Sequence, residues 1–221
     1  LAKGVLEMKY MTAKEEDILT NQNYITKGTV IDRLIKSLIT TEGFNYDNLL
    51  IGDKNAIMVA ARILSYGPEY QIQHNGEKVT VDLSKVENVV IKDKDYKNGN
   101  KFDLKLPSGN EVEFKLLTHG DEKAVDREIA GLKKIDKNSS PQVTTRLKRM
   151  ILSINGSSEV KDIREFVDKY MLATDARALR KEYSRLQPDV DLTFNYTNED
   201  GGEEDVAIPI GIGFFWPDSG V

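Results

Sequence analysis

The strongest constraint on this chain is the segment Gly52–Pro68, where Ala56-Ile57-Met58-Val59-Ala60-Ala61 runs apolar without a break and Ile63 and Leu64 follow one turn later. Asp53 suits an N-cap, because a short carboxylate accepts a hydrogen bond from the open N–H groups of a first helical turn. Gly67 suits the left-handed position that follows a helix, and Pro68 cannot continue one. The helix between these signals is apolar nearly all round, which places it in a core rather than on a surface. Ala56, Ala60 and Ala61 allow neighbouring elements to come close. Arg62 is the exception: its guanidinium must reach solvent or a carboxylate, since an unpaired buried charge is very costly.

Upstream, Val5–Tyr10 alternates like a short strand, and Thr12-Ala13-Lys14-Glu15 fits a capping box opening a helix to about Asn21. Thr29 opens the next helix, with Val30, Ile31, Leu34, Ile35 and Leu38 on one face. After Pro68 the apolar period changes to two. Tyr70 and Ile72 pair with Val79, Val81 and Leu83 across His74-Asn75-Gly76-Glu77, and Asn-Gly is a strong hairpin signal. A second hairpin sets Phe102, Leu104 and Leu106 against Val112, Phe114 and Leu116 across Pro107-Ser108-Gly109-Asn110. The charged stretch Lys92–Lys101 between the hairpins reads as a mobile loop.

Helical periodicity returns at Gly120. Asp121 caps a helix to about Ile135, and a further helix from Pro141 to Ile154 carries Val143, Leu147, Met150, Ile151 and Ile154. Ser158 opens another through Tyr170, and Asp175 caps a last one that Pro188 ends. A final hairpin sets Val190, Leu192, Phe194 and Tyr196 against Val206, Ile208 and Ile210 across Asn198–Gly202. The order of capped helix, proline and hairpin thus occurs twice, a helix–hairpin pseudo-repeat with 15 residues from Asp53 to Pro68 and 13 from Asp175 to Pro188. The fold class is α+β, helices with antiparallel β-hairpins. The expected division is an N-terminal helical region with two hairpins over 1–118, then helices, final hairpin and aromatic tail over 119–221.

Composition narrows the function. A net charge of −5 argues against general binding to nucleic acid or membrane surfaces, and no run approaches the ~18 apolar residues of a membrane span. The first residues lack the apolar stretch of a signal peptide, and Leu1 is not an initiator Met, so a segment is expected to precede it. With no Cys, disulfides and thiolate metal sites are excluded, consistent with a reducing compartment. His74 and His119, the two histidines, lie on different elements, so no metal site is expected. The acidic triplets Glu15-Glu16-Asp17 and Glu203-Glu204-Asp205 read as solvated faces, since sequence neighbours do not converge on a substrate. Gly211-Ile212-Gly213 precedes aromatics rather than a helix and is no phosphate loop. No nucleophile–base pair stands out. No catalytic residue and no cofactor is predicted.

What remains points to protein contacts. Arg146, Lys148 and Arg149 form one basic helix face, and Arg177, Arg180, Lys181 and Arg185 form another, each either neutralised by Asp and Glu or open to an acidic partner. The chain closes on Phe214-Phe215-Trp216-Pro217, and adjacent aromatics in a strand point to opposite faces. Either both faces are covered within the fold, or part of this tail packs on a partner. Phe214, Phe215, Trp216, Arg177 and Arg180 are the predicted partner-binding residues.

Three blocks carry a resemblance: Met11–Leu19; Gly52-Asp53-Lys54-Asn55-Ala56 with Ala61-Arg62 and Tyr66-Gly67; and Asp175-Ala176-Arg177-Ala178-Leu179-Arg180 with Gln187–Asp191, Ile208-Pro209-Ile210 and Phe214–Pro217. Together they resemble the T4-type bacteriophage base plate protein family, while the middle, Lys92–Lys137, carries no matching motif. The resemblance implies a non-enzymatic baseplate hub subunit or assembly factor of a contractile tail. Its partners would be other tail or hub proteins, or a second copy of itself. It would act in the host cytoplasm during assembly, with the virion baseplate as a further location. Several relatives carry Cys-rich hairpin tips resembling zinc ribbons; His74–Glu77 and Asn198–Gly202 stand there in this chain, without Cys. The alternative is a small nucleic-acid- or polymerase-binding adaptor, against which the acidic balance counts.

Overall fold

The computed structural model describes residues 4–137, 141–198 and 201–215. In chain order it contains α1 (Ala13–Leu19), α2 (Gln22–Thr26), α3 (Val30–Leu38), α4 (Ile51–Tyr66), β1 (Glu69–His74), β2 (Glu77–Asp82), β3 (Phe102–Lys105) and β4 (Glu111–Phe114). There follow α5 (His119–Ile135), α6 (Gln142–Met150), β5 (Ile151–Ile154), α7 (Val160–Glu165), α8 (Ala173–Leu186), β6 (Thr193–Thr197) and β7 (Glu203–Ala207). The fold is α+β, with every sheet small and antiparallel. Contacts divide the chain into two compact units: Leu1–Phe44, Asp53–Val89 and Asp189–Val221 form the first, Asn45–Gly52 and Val90–Pro188 the second. A cut at 118/119 would fall inside the second unit, between Thr118 and the helix it caps.

In the first unit, α3 buries Val30, Leu34, Ile35 and Leu38, the face set by its apolar spacing. Strand-like Val5–Tyr10 contributes only a bridge, Met8 to Ile39. Glu15 and Thr12 close the expected capping box, the Glu15 carboxylate accepting from the Thr12 N–H at 3.0 Å and hydroxyl at 2.6 Å. The α4 helix starts at Ile51, so Asp53 lies in its first turn rather than at the cap, where the helix dipole still favours a carboxylate. Met58, Val59, Ala61 and Arg62 are buried, but Leu64 is 39% exposed: α4 is covered on part of its surface, not all round. Arg62 is 2% exposed and meets no carboxylate among the described residues. Its guanidinium donates to the Gly67 and Glu69 carbonyls, both at 3.2 Å, and lies over the Tyr66 and Tyr70 rings. The Gly67 carbonyl directly follows the helix, and Glu69 is the first residue of β1. Burial nonetheless lowers the Arg62 pKa.

The β1–β2 hairpin turns at Asn75 and Gly76, both at positive φ (50° and 86°), which suits a two-residue primed turn. The β6–β7 hairpin pairs Thr193 with Ala207 through Thr197 with Glu203. The pseudo-repeat holds as an order of elements, and in both helices the aspartate sits in the first turn. It does not hold as a unit of packing: α4 folds with its hairpin, whereas α8 belongs to the second unit and β6–β7 to the first.

The second unit is built on a three-stranded sheet of order β3-β4-β5. Its core joins Phe102, Val112 and Phe114 from the sheet to Leu147, Ile163 and Leu179 from the helices. The sequence predicts helix through Ile154, but α6 stops at Met150 and Ile151–Ile154 becomes β5. Beside the open edge of β4, the β-branched Ile151 and Ile154 gain ladder hydrogen bonds and core burial together. The Lys92–Lys101 stretch is anchored rather than mobile. The Tyr96 hydroxyl donates to the Leu186 carbonyl, its ring packs edge-on against Phe102, and Asp95 accepts from Arg185 at 2.7 Å. α7 continues into a π-helical turn, Phe166–Tyr170, that buries Phe166 and Val167 side by side.

Candidate partner-binding surface

α8 is positioned by its buried side. Asp175, wholly buried, accepts from the Leu172 N–H at its own first turn and from the Ser108 N–H at 3.0 Å, tying the β3–β4 turn to the helix start. Leu179 and Leu186 enter the core, and the Tyr183 hydroxyl accepts from the Leu117 N–H at 3.1 Å. Burial pushes the Tyr183 phenol up. The opposite side carries Arg177, Arg180 and Lys181, all exposed, at the i, i+3, i+4 spacing of one helix face.

The two basic faces expected from sequence differ in kind. On α6, Arg146 pairs with Glu122, Lys148 with Asp168 at 2.6 Å, and Arg149 with Asp121 at 2.8 Å. Asp121 is the centre of that network: it also accepts from Lys115 Nζ at 2.7 Å and from the Thr118 N–H, whose residue is the true N-cap of α5. Burial works to raise its carboxyl, and Lys115, Thr118 and Arg149 together hold it below the usual range. On α8, Arg185 is taken up by Glu182 and Asp95, which raise its pKa. Arg177, Arg180 and Lys181 have no carboxylate partner among the described residues. Like charges at this spacing destabilise a helix by about 0.2–0.5 kcal/mol per pair. The basic face of α6 is structural; that of α8 is open.

Phe214 and Phe215 of the aromatic tail turn inward. Phe214 and Phe215 lie on a 3-10 turn, Ile212–Phe215, and are 1% and 0% exposed. Phe214 meets the Tyr70 ring edge-on at 4.9 Å and Phe215 at 5.2 Å. A turn, unlike a strand, lets neighbouring rings enter one core, so the two phenylalanines are anchors within the first unit and not exposed partner contacts. Trp216 lies outside the described residues.

A contact absent from the sequence reading joins the two hairpins of the first unit. His74 Nε2 lies 2.8 Å from Glu204 Oε1, its ring meets Tyr196 edge-on at 4.9 Å, and the Tyr196 hydroxyl donates to Glu77 at 3.1 Å. The two positions are 130 residues apart, so no local pattern announces it. Among the described residues no cluster of three His, Asp or Glu suits a metal ion. The open groove between α5 and α6, about 410 Å³, holds Asp126, Lys133 and Arg146 but no nucleophile beside a base. Among the described residues no helix is long and apolar enough to cross a membrane.

The model of the family described as T4 bacteriophage base plate protein matches residues 1–216, including the middle that carries no recognisable motif. The chain belongs to this family. No curated protein and no solved structure matches this base plate family member. Membership of this family supports a structural role in the phage baseplate.

Proposed function

We propose that this base plate family member is a non-enzymatic hub subunit or hub assembly factor of a contractile tail, working through protein–protein contacts. The observation that supports this most directly is the contrast between α6, whose cations are neutralised within the chain, and α8, whose Arg177, Arg180 and Lys181 are not. A helix keeps adjacent unpaired cations at a cost, and an acidic partner removes that cost on docking. The protein acts in the host cytoplasm during assembly, and as a hub subunit it stays in the virion baseplate. The decisive experiment is mass spectrometry of purified particles alongside affinity purification from infected cells. A hub subunit is found in particles; an assembly factor is absent from them but co-purifies with tail proteins. Absence from both, with salt-dependent retention on DNA, would instead make it a nucleic-acid-binding adaptor.

A further inference from the structure

We propose that the protein associates with itself head to tail, the Arg177–Arg180–Lys181 face of α8 in one copy seating the outer face of the β6–β7 hairpin of the next. This deepens the baseplate reading and rests on it for its setting. The basic half of the contact is the open face described above. Its complement lies in the segment that follows α8: residues 189–221 contain eight Asp and Glu and no Lys or Arg. Two of these carboxylates, Glu203 and Asp205, stand exposed on one face of β7, opposite Thr197 and Asn195 of β6. Neither has a partner among the described residues, whereas Glu204, on the other face, is held by His74.

Spacing matches as well as sign. Residues four apart on a helix are about 6 Å apart along its axis. Residues two apart on a strand are about 6.8 Å apart. Arg177 and Lys181 can therefore each meet one of the two carboxylates, with Arg180 between them and guanidinium groups suited to two-point hydrogen bonding. Thr197 and Asn195 beside the carboxylates add neutral hydrogen-bonding groups to the same surface. Because the two surfaces differ, the contact is heterologous, and repeating it closes a ring or extends an open chain. A contact held by exposed charges is weak and screened by salt, since the Debye length is ~8 Å at physiological ionic strength.

The test is sedimentation or light scattering of the full chain over a range of concentrations. At ~20 mM salt the mean mass rises with concentration, and at ~500 mM it returns to the monomer value. The triple variant Arg177→Glu, Arg180→Glu, Lys181→Glu and the double variant Glu203→Lys, Asp205→Lys alter exposed side chains only, and unchanged circular dichroism melts confirm their folding. Each alone is monomeric, and mixing them restores association, because the acidified helix of one meets the basic hairpin of the other. A parent that is monomeric at every concentration in low salt overturns the proposal, as does association of either variant alone or failure of the mixture to associate. A protein absent from particles and from tail complexes overturns the baseplate reading and leaves the self-association result standing.

Discussion

Glu15 is the residue whose chemistry can be followed most closely from sequence to a measurable number. It is 1% exposed, with one carboxylate oxygen 2.7 Å from Lys9 Nζ and the other accepting from the Thr12 hydroxyl and N–H. Burial alone would raise its pKa, but Lys9 and Thr12 outweigh it and hold the carboxyl down from 4.5 to about 2. A depression of that size is worth about 3 kcal/mol at ~1.36 kcal/mol per pKa unit. The Lys9 side chain is 43% exposed. Solvent screening of that partner brings the expected value to about 1–2 kcal/mol. The sign follows from the direction: the stabilisation is complete above the unfolded pKa of 4.5 and is lost as pH falls toward about 2. Glu15→Gln removes the titrating group at nearly constant volume. Urea unfolding of parent and variant, followed by circular dichroism at steps from pH 7 to pH 2, isolates this residue from every other carboxylate. The parent is more stable by about 1–2 kcal/mol at neutral pH, and the gap closes as Glu15 protonates. A gap that persists unchanged at the acid end, or a variant equal to the parent at pH 7, refutes the account.

Four further outcomes are expected. Phe215→Ala lowers stability by about 3–5 kcal/mol because it empties a fully buried site, and a parent-like melt would show that the tail does not fold inward. Asp121→Ala removes the acceptor of Lys115, Arg149 and the Thr118 N–H, costing about 2–3 kcal/mol since both cations can still reach water; urea midpoints measure it, and a loss under ~0.5 kcal/mol contradicts the network. Trp216→Ala weakens binding to a partner tail protein by about thirty-fold with melting unchanged, and an early-melting variant that still assembles rules out the anchor. A chelator leaves the melting temperature unchanged; tightly bound stoichiometric metal in the purified protein would overturn that.

Local patterns made much of the fold legible before any tertiary contact was known. The Thr12–Glu15 capping box, the apolar face of α3, the Asn75-Gly76 turn and the pairing of arms in the three hairpins follow from interactions within a few residues, so short windows of sequence carry them. The blocks that resemble the base plate family are likewise contiguous, and the family assignment agrees with them. Tertiary structure decided what depends on distant neighbours. Ile151–Ile154 is apolar enough for either helix or strand, and the open edge of β4 makes it a strand. Phe214 and Phe215 could face a partner or the core, and Tyr70, some 144 residues earlier, helps to enclose them. The two basic helix faces look alike in composition, yet Glu122, Asp168 and Asp121 reach α6 and no described carboxylate reaches Arg177, Arg180 or Lys181. A side chain's type states what it can bond; whether that bond is made inside the chain or left for another molecule depends on which remote segments the fold brings beside it.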